Sequence, residues 1–265
     1  MNIYIEMTKR FNSVRLRAIL SGGQAVVLHR LAIMSKDADW ILREDEETMG
    51  HVLSILEAYG AHYRFGAPLD VRWLSGGWSA HLEFTWNGLR VRTDFVTRPP
   101  RLDAETLQRM WREQEGRDIA FVNARDLVEL KKTNREKDYV VIGEIARRMS
   151  DVDDQFLYSR SARDLIRLAI EHPERVKVLS QKRLVLLAIP KGLNELETAL
   201  DAERRKLIHA NEERLTKYMT AAEAWAGVWP DVANEIEGLS LSKAHSLLIK
   251  RAHGVLPFHV DGGWP

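Results

Sequence analysis

The periodicity of this chain changes once, near residue 122, and that change sets the expected architecture. Before it, short β-rich segments are punctuated by Gly and Pro; after it, long helical patterns dominate. The expected fold is an α/β (α+β) part with a mixed sheet over residues 1–122, followed by an all-α region. Within the first part, Leu16–Leu20 reads as a strand, Gly23–Leu31 as a helix, Asp37–Leu42 as a strand and Glu46–Tyr59 as an amphipathic helix ending at Gly60. Three more strands are expected at Val71–Leu74, His81–Trp86 and Leu89–Thr97, the last two joined by Asn87-Gly88, a strong two-residue hairpin signal. Pro99-Pro100 ends the sheet.

Asp103–Gln114 then reads as a helix, Ile119–Val122 as a short strand, and Asn123 as the N-cap of a helix reaching Lys132. A further helix is expected over Glu136–Met149, and residues 123–150 form a helical extension of the α/β part. Residues 151–265 are expected to form a C-terminal helical bundle; the stretch ELETALDAERRKLIHANEERLTKYMTAAEAWAG carries one helix longer than about 25 residues. Trp225, Trp229 and Trp264 lie there without interleaved basic clusters, which assigns them to packing rather than base stacking.

Composition narrows the function classes. With 39 Lys and Arg against 38 Asp and Glu the formal charge is +1, so no bulk field draws the molecule to nucleic acid or membrane. The absence of Cys excludes a disulfide framework, a thiolate zinc site and a Cys nucleophile. Nine His are scattered without a compact ligand spacing, and His29 in the first glycine-rich helix reads as structural. The longest apolar run, LVLLAIP, is far short of the roughly 20 residues that span a bilayer. MNIYIEMTKRF lacks an uninterrupted signal-peptide core, and a cytoplasmic, non-membrane protein is expected.

The stretch SGGQAVVLHRLAIMSKDADW carries the chemistry. Ser21-Gly22-Gly23 follows a strand and opens a helix, so its backbone amides can approach a phosphate. A second copy, Ser75-Gly76-Gly77, lies between two expected strands and reads as a turn. The strand period of two puts Asp37 and Asp39 on one face, with Ala38, Trp40 and Leu42 on the other. In LRVRTDFV the same alternation puts Arg90, Arg92 and Asp94 on the polar face. If the two strands are neighbours, three carboxylates converge, and clustered carboxylates call for cations. Hard oxygen ligands favour Mg²⁺. The positive charges at Lys131, Lys132, Arg135 and Lys137 read equally well as a solvated cationic helix end.

The order Gly22-Gly23, then Ser35-Lys36-Asp37-Ala38-Asp39, then Asp94 resembles the bacterial nucleotidyltransferase superfamily, the polymerase-β-like fold. VNARDLVELKKTNREKDYVVIGEIAR looks like the helical segment of its bacterial members, and the likeness covers about residues 14–148. The resemblance implies an enzyme that moves a nucleoside monophosphate from an NTP such as ATP to an acceptor hydroxyl on a small molecule, a protein or an RNA. It implies that Asp37, Asp39 and Asp94 are the catalytic and metal-binding residues for Mg²⁺ or Mn²⁺, with Asp94 as a base toward the acceptor. Ser21, Gly22, Gly23 and Gln24 with Lys131 and Arg135 would hold the nucleotide, and Asp138 would position one of those cations. Many members carry Gly-Ser at the turn where this chain has Gly23-Gln24, which leaves open whether Ser21 or Gln24 meets the phosphate. The alternative is a non-catalytic nucleotide-binding or interaction protein on the same fold, such as a toxin-antitoxin or phage-defence component. The C-terminal helices would then serve self-association or a partner protein.

Overall fold

The computed structural model describes residues 2–32, 34, 35 and 37–262. Lys36 of the aspartate motif and Trp264 lie outside them. The chain forms two compact units, one of residues 1–122 with 214–265 and the other of residues 123–213.

The first unit is built on a mixed five-stranded sheet. Its elements in chain order are α1 (Ile3–Phe11), β1 (Ala18–Ser21), α2 (Gly22–Leu28), β2 (Asp37–Leu42), α3 (Glu46–Ala58), β3 (His62–Tyr63), α4 (Val71–Leu74), β4 (Ala80–Trp86), β5 (Leu89–Val96) and α5 (Ala104–Gln114). The strand order is β1-β2-β5-β4-β3, with β2 and β5 parallel and the other three strand pairs antiparallel. Asn87 and Gly88 take φ of 49° and 75°, the two positive values a type I′ hairpin requires. On the outer edge of β1, Leu20 N–H donates to the Ala120 carbonyl (2.9 Å) and Val122 N–H to the Leu20 carbonyl (3.0 Å), so the Ile119–Val122 segment does extend the sheet.

One sheet face is apolar. Leu20, Trp40, Phe95 and Ala80 occupy one register row, all fully buried. Trp40 and Phe95 stack at 5.4 Å, and Phe11 of α1 meets Trp40 edge-on at the same separation. The Trp40 indole N–H, which cannot be buried unpaired without cost, donates to the Thr8 hydroxyl (2.9 Å). Helix α1 had no counterpart in the sequence reading; Asn2 caps it by accepting from Tyr4 N–H (2.9 Å).

Val71–Leu74, expected as a strand, is instead the one-turn helix α4. Asp70 caps it by accepting from Arg72 N–H (2.9 Å), and four residues are too few for apolar periodicity to separate strand from helix. Ser75 and Gly76 then close the turn after it, the conformation expected for the second Ser-Gly-Gly.

The remaining elements are α6 (Ala124–Lys131), α7 (Glu136–Arg147), α8 (Val152–Tyr158), α9 (Ala162–Glu171), α10 (Pro173–Leu179), a 3₁₀ segment (Leu184–Lys191), α11 (Leu193–Ala221), α12 (Glu223–Ile236) and α13 (Leu241–Ala252). Asn123 caps α6 by accepting from Asp126 N–H (2.9 Å), and α11 has 29 residues. The second unit has a core of its own around Phe156, Leu165, Leu186 and Leu196. Arg183 donates to Glu203 at 2.7 Å inside it, and Arg160 bonds the same carboxylate.

The expected bundle over 151–265 does not form a single unit. Residues from Arg214 onward belong with the sheet, because Trp225, Val232, Leu248 and Leu256 share the core of Trp73 and Leu82. Hydrogen bonds reinforce the assignment: Trp73 Nε1 donates to the Leu256 carbonyl (3.0 Å), Trp78 Nε1 to Pro257 (2.8 Å) and Trp225 Nε1 to Gly66 (2.9 Å). Helical periodicity marks a buried face but not the core that receives it. Among the described residues no helix is long and apolar enough to cross a membrane.

Candidate functional site

The opposite face of the sheet is apolar at the Ile19–Ile41–Val96 row and polar beyond it, and its register brings the aspartates together. Ser21 pairs with Asp39, Asp39 with Asp94, and Asp94 with His81, forming one row across four strands. The next row runs Asp37, Arg92, Glu83, His62. Adjacent strands lie about 4.8 Å apart, so Asp39 and Asp94 are immediate neighbours, and Asp37 shares their face two residues along β2.

Gly22 opens α2 with φ of +58°, a left-handed conformation, and lies against the Asp39 carboxylate: a Cβ there would sit 1.7 Å from Asp39 Oδ2. Gly23 packs on the Ser35 side chain. Ser21 is buried at the end of β1. Gln24 is buried too, and its amide donates to the Ser35 carbonyl (2.8 Å). That bond commits Gln24 to holding the segment before β2 and leaves Ser21 as the better-placed hydroxyl beside Asp39.

The three carboxylates differ in their surroundings. Asp37 keeps Oδ1 buried without a hydrogen-bond partner, with Arg92 Nη1 3.7 Å away. Asp94 Oδ1 accepts from Arg64 Nη2 at 2.5 Å and lies 2.7 Å from His81 Nδ1. Arg64 also faces Glu83 at 3.5 Å. Burial works to raise the Glu83 pKa, but the Arg90 hydrogen bond and charge, aided by His62 and Arg64, hold it below the ordinary carboxylate range.

The donor set therefore fits a cation in part. Asp37 and Asp39 offer hard oxygens on one face, and the unsatisfied Oδ1 of Asp37 suits a divalent ion. Asp94 is occupied by a guanidinium and an imidazole, so the expected three-carboxylate, two-cation site is one ligand short in this arrangement. Among the described residues no group of three or more His, Asp or Glu side chains is arranged to hold a metal ion.

Lys131 and Arg135 lie in the second unit, where Asp138 gathers both. Lys131 Nζ is 3.4 Å from Asp138 Oδ1, while Arg135 Nε (2.8 Å) and the Thr133 hydroxyl (2.5 Å) donate to Oδ2. Burial opposes ionisation of Asp138, but the Thr133 bond and the two cations keep its pKa below the ordinary value.

Arg64 and His81 escaped the sequence reading. His81 was accessible to it: the Asn87-Gly88 turn pairs Trp86 with Leu89, and counting back along both strands places His81 opposite Asp94. Arg64 carried no such signal, since the two-residue β3 is too short to show alternation. Comparison of the chain with protein-family models, with curated proteins and with solved structures finds no match.

Proposed function

We propose that this protein is a divalent-metal-dependent nucleotidyltransferase that moves a nucleoside monophosphate from an NTP to an acceptor hydroxyl. The observation that carries the reading is the register row Ser21, Asp39, Asp94 on the polar sheet face, with the Gly22 backbone packed on Asp39. Asp37 and Asp39 would hold the cation, Mg²⁺ or Mn²⁺, which on binding supplies charge for the departing pyrophosphate. Asp39 is positioned by Gly22, so the carboxylate and the backbone at the start of α2 are set against one another before any substrate arrives. Asp94 fixes His81 through Nδ1, which leaves Nε2 to accept the proton of an incoming hydroxyl. Arg64 holds the same Asp94 oxygen.

The test is incubation of the protein with each radiolabelled NTP and Mg²⁺ together with total RNA, cell protein or metabolite extract. Labelling of one pool by the wild type, and of none by Asp39→Asn, is the expected result. No labelling of any pool, with no Mg²⁺-dependent stabilisation by NTP, removes the enzyme.

One observation favours the second reading, a non-catalytic nucleotide-binding or interaction protein: the closure of Asp94 by Arg64 and His81. NTP binding that is metal-independent and unaffected by Asp39→Ala would support it.

A further inference from the structure

A cavity of about 190 Å³ opens next to His81, within the first unit, and none of the roles above uses it. Its walls include Phe65, Trp78, Tyr218 and Trp225. Their polar atoms are spent on backbone carbonyls: Trp78 Nε1 on Pro257 (2.8 Å), Trp225 Nε1 on Gly66 (2.9 Å) and the Tyr218 hydroxyl on Gly76 (2.8 Å). Of these rings Phe65 is the exposed one, while Trp78 and Tyr218 are about nine-tenths buried and Trp225 almost wholly so. Trp78 and Tyr218 meet edge-on at 4.9 Å, a rigid corner that suits a flat guest.

Arg214 supplies the contrasting chemistry. It lines the same cavity with its guanidinium 5.3 Å from the centre of the Tyr218 ring, and its Nε is buried without a hydrogen-bond partner. Burial lowers its pKa, and only the Tyr218 hydroxyl, no carboxylate, opposes that effect. A half-buried guanidinium with an unpartnered donor gains by pairing with an arriving acceptor. The cavity is well below the roughly 300–1,000 Å³ of ordinary cofactor sites and matches a body of one or two fused rings.

We propose that this cavity binds a small aromatic carboxylic acid, its ring against Phe65, Trp78 and Tyr218 and its carboxylate on Arg214. The geometry needs no nucleotide or metal and so stands apart from nucleotidyl transfer; were both to hold, the ligand would sit beside His81 as an effector of the acceptor step.

The experiment is isothermal titration of the full chain, without nucleotide or metal, using benzoate and indole-3-carboxylate against their uncharged counterparts benzyl alcohol and indole. The acids are expected to bind at least about tenfold more tightly than the neutral rings, and Arg214→Gln to erase that difference, since a tenfold preference is what one charge-assisted hydrogen bond supplies. Far-UV circular dichroism checks that this variant is folded. Ala222→Leu, which adds bulk at another of the lining residues and keeps the guanidinium, should abolish binding of the acids. Asp39→Asn should leave it unchanged, which separates failure here from failure of the transferase reading. Equal affinity for acids and neutral rings, no saturable binding of either acid, or undiminished binding by Ala222→Leu would each overturn the proposal.

Discussion

The tripeptide Ser-Gly-Gly occurs twice in this chain, and the two copies have opposite uses. Ser21-Gly22-Gly23 leaves β1 and opens α2, and the neighbour that demands a glycine at Gly22 is a carboxylate, with Asp39 Oδ2 1.7 Å from a notional Cβ. Ser75-Gly76-Gly77 closes the turn after α4, and the neighbour that demands a glycine at Gly76 is backbone, the Phe258 carbonyl oxygen 1.8 Å from a notional Cβ. A side chain can swing aside; a main-chain carbonyl bound into a core cannot. The same three letters therefore pack on a strand carboxylate at one site and lock the C-terminal segment to the sheet at the other.

The sharpest test of that contrast is Asp39→Asn, which removes charge and keeps volume. The proposed nucleotidyl transfer should fall at least about 10³-fold, roughly 4 kcal/mol in the barrier, while the thermal midpoint scarcely moves. A variant that keeps its activity would take the first copy out of the chemistry.

Gly76→Ala comes next. Overpacking against the Phe258 carbonyl should cost about 3 kcal/mol in chemical denaturation, with activity per folded molecule preserved. Wild-type stability in this variant would show that the two segments part without penalty.

Gly22→Ala should do the reverse. The left-handed backbone costs roughly 1–2 kcal/mol with alanine, but the larger consequence is displacement of the Asp39 carboxylate, which should lower transfer by about 10²-fold. Equal losses of stability in the two glycine variants, with equal activity, would erase the distinction.

The smallest effect is expected at a carboxylate that is already satisfied. Asp138, held below its ordinary pKa by Thr133, Lys131 and Arg135 against the pull of burial, has a lower pKa folded than unfolded. Its stabilisation is therefore complete above the unfolded value near 3.9 and disappears as pH falls through the depressed folded value. Asp138→Asn should be about 1–2 kcal/mol less stable than wild type at pH 7, and the gap should close below about pH 4. A gap that persists at pH 2 would assign the stabilisation to packing.

Much of the polar sheet face was legible beforehand. The parity of Asp37 and Asp39, and of Arg92 and Asp94, follows from the two-residue period, which is a property of each strand alone. Asn123 and Asp103 were readable as helix starts because a cap is a contact over three residues. Val71–Leu74 was misread because one turn carries no period, and β3 was invisible for the same reason.

What the sequence by itself determined is local: which residues share a strand face, where helices begin, and, through Asn87-Gly88, which residue of β4 stands opposite each residue of β5. Each of these depends on backbone geometry within a few residues. Tertiary structure decided the rest. It brought β2 beside β5 in parallel, turned Arg64 onto Asp94 across 30 positions, spent Gln24 on the Ser35 carbonyl, and drew residues 214–265 into the core of the sheet. Those outcomes depend on which apolar faces meet and which charges are left to pair once they have, and a hydrophobic face carries the same pattern whatever it is about to pack against.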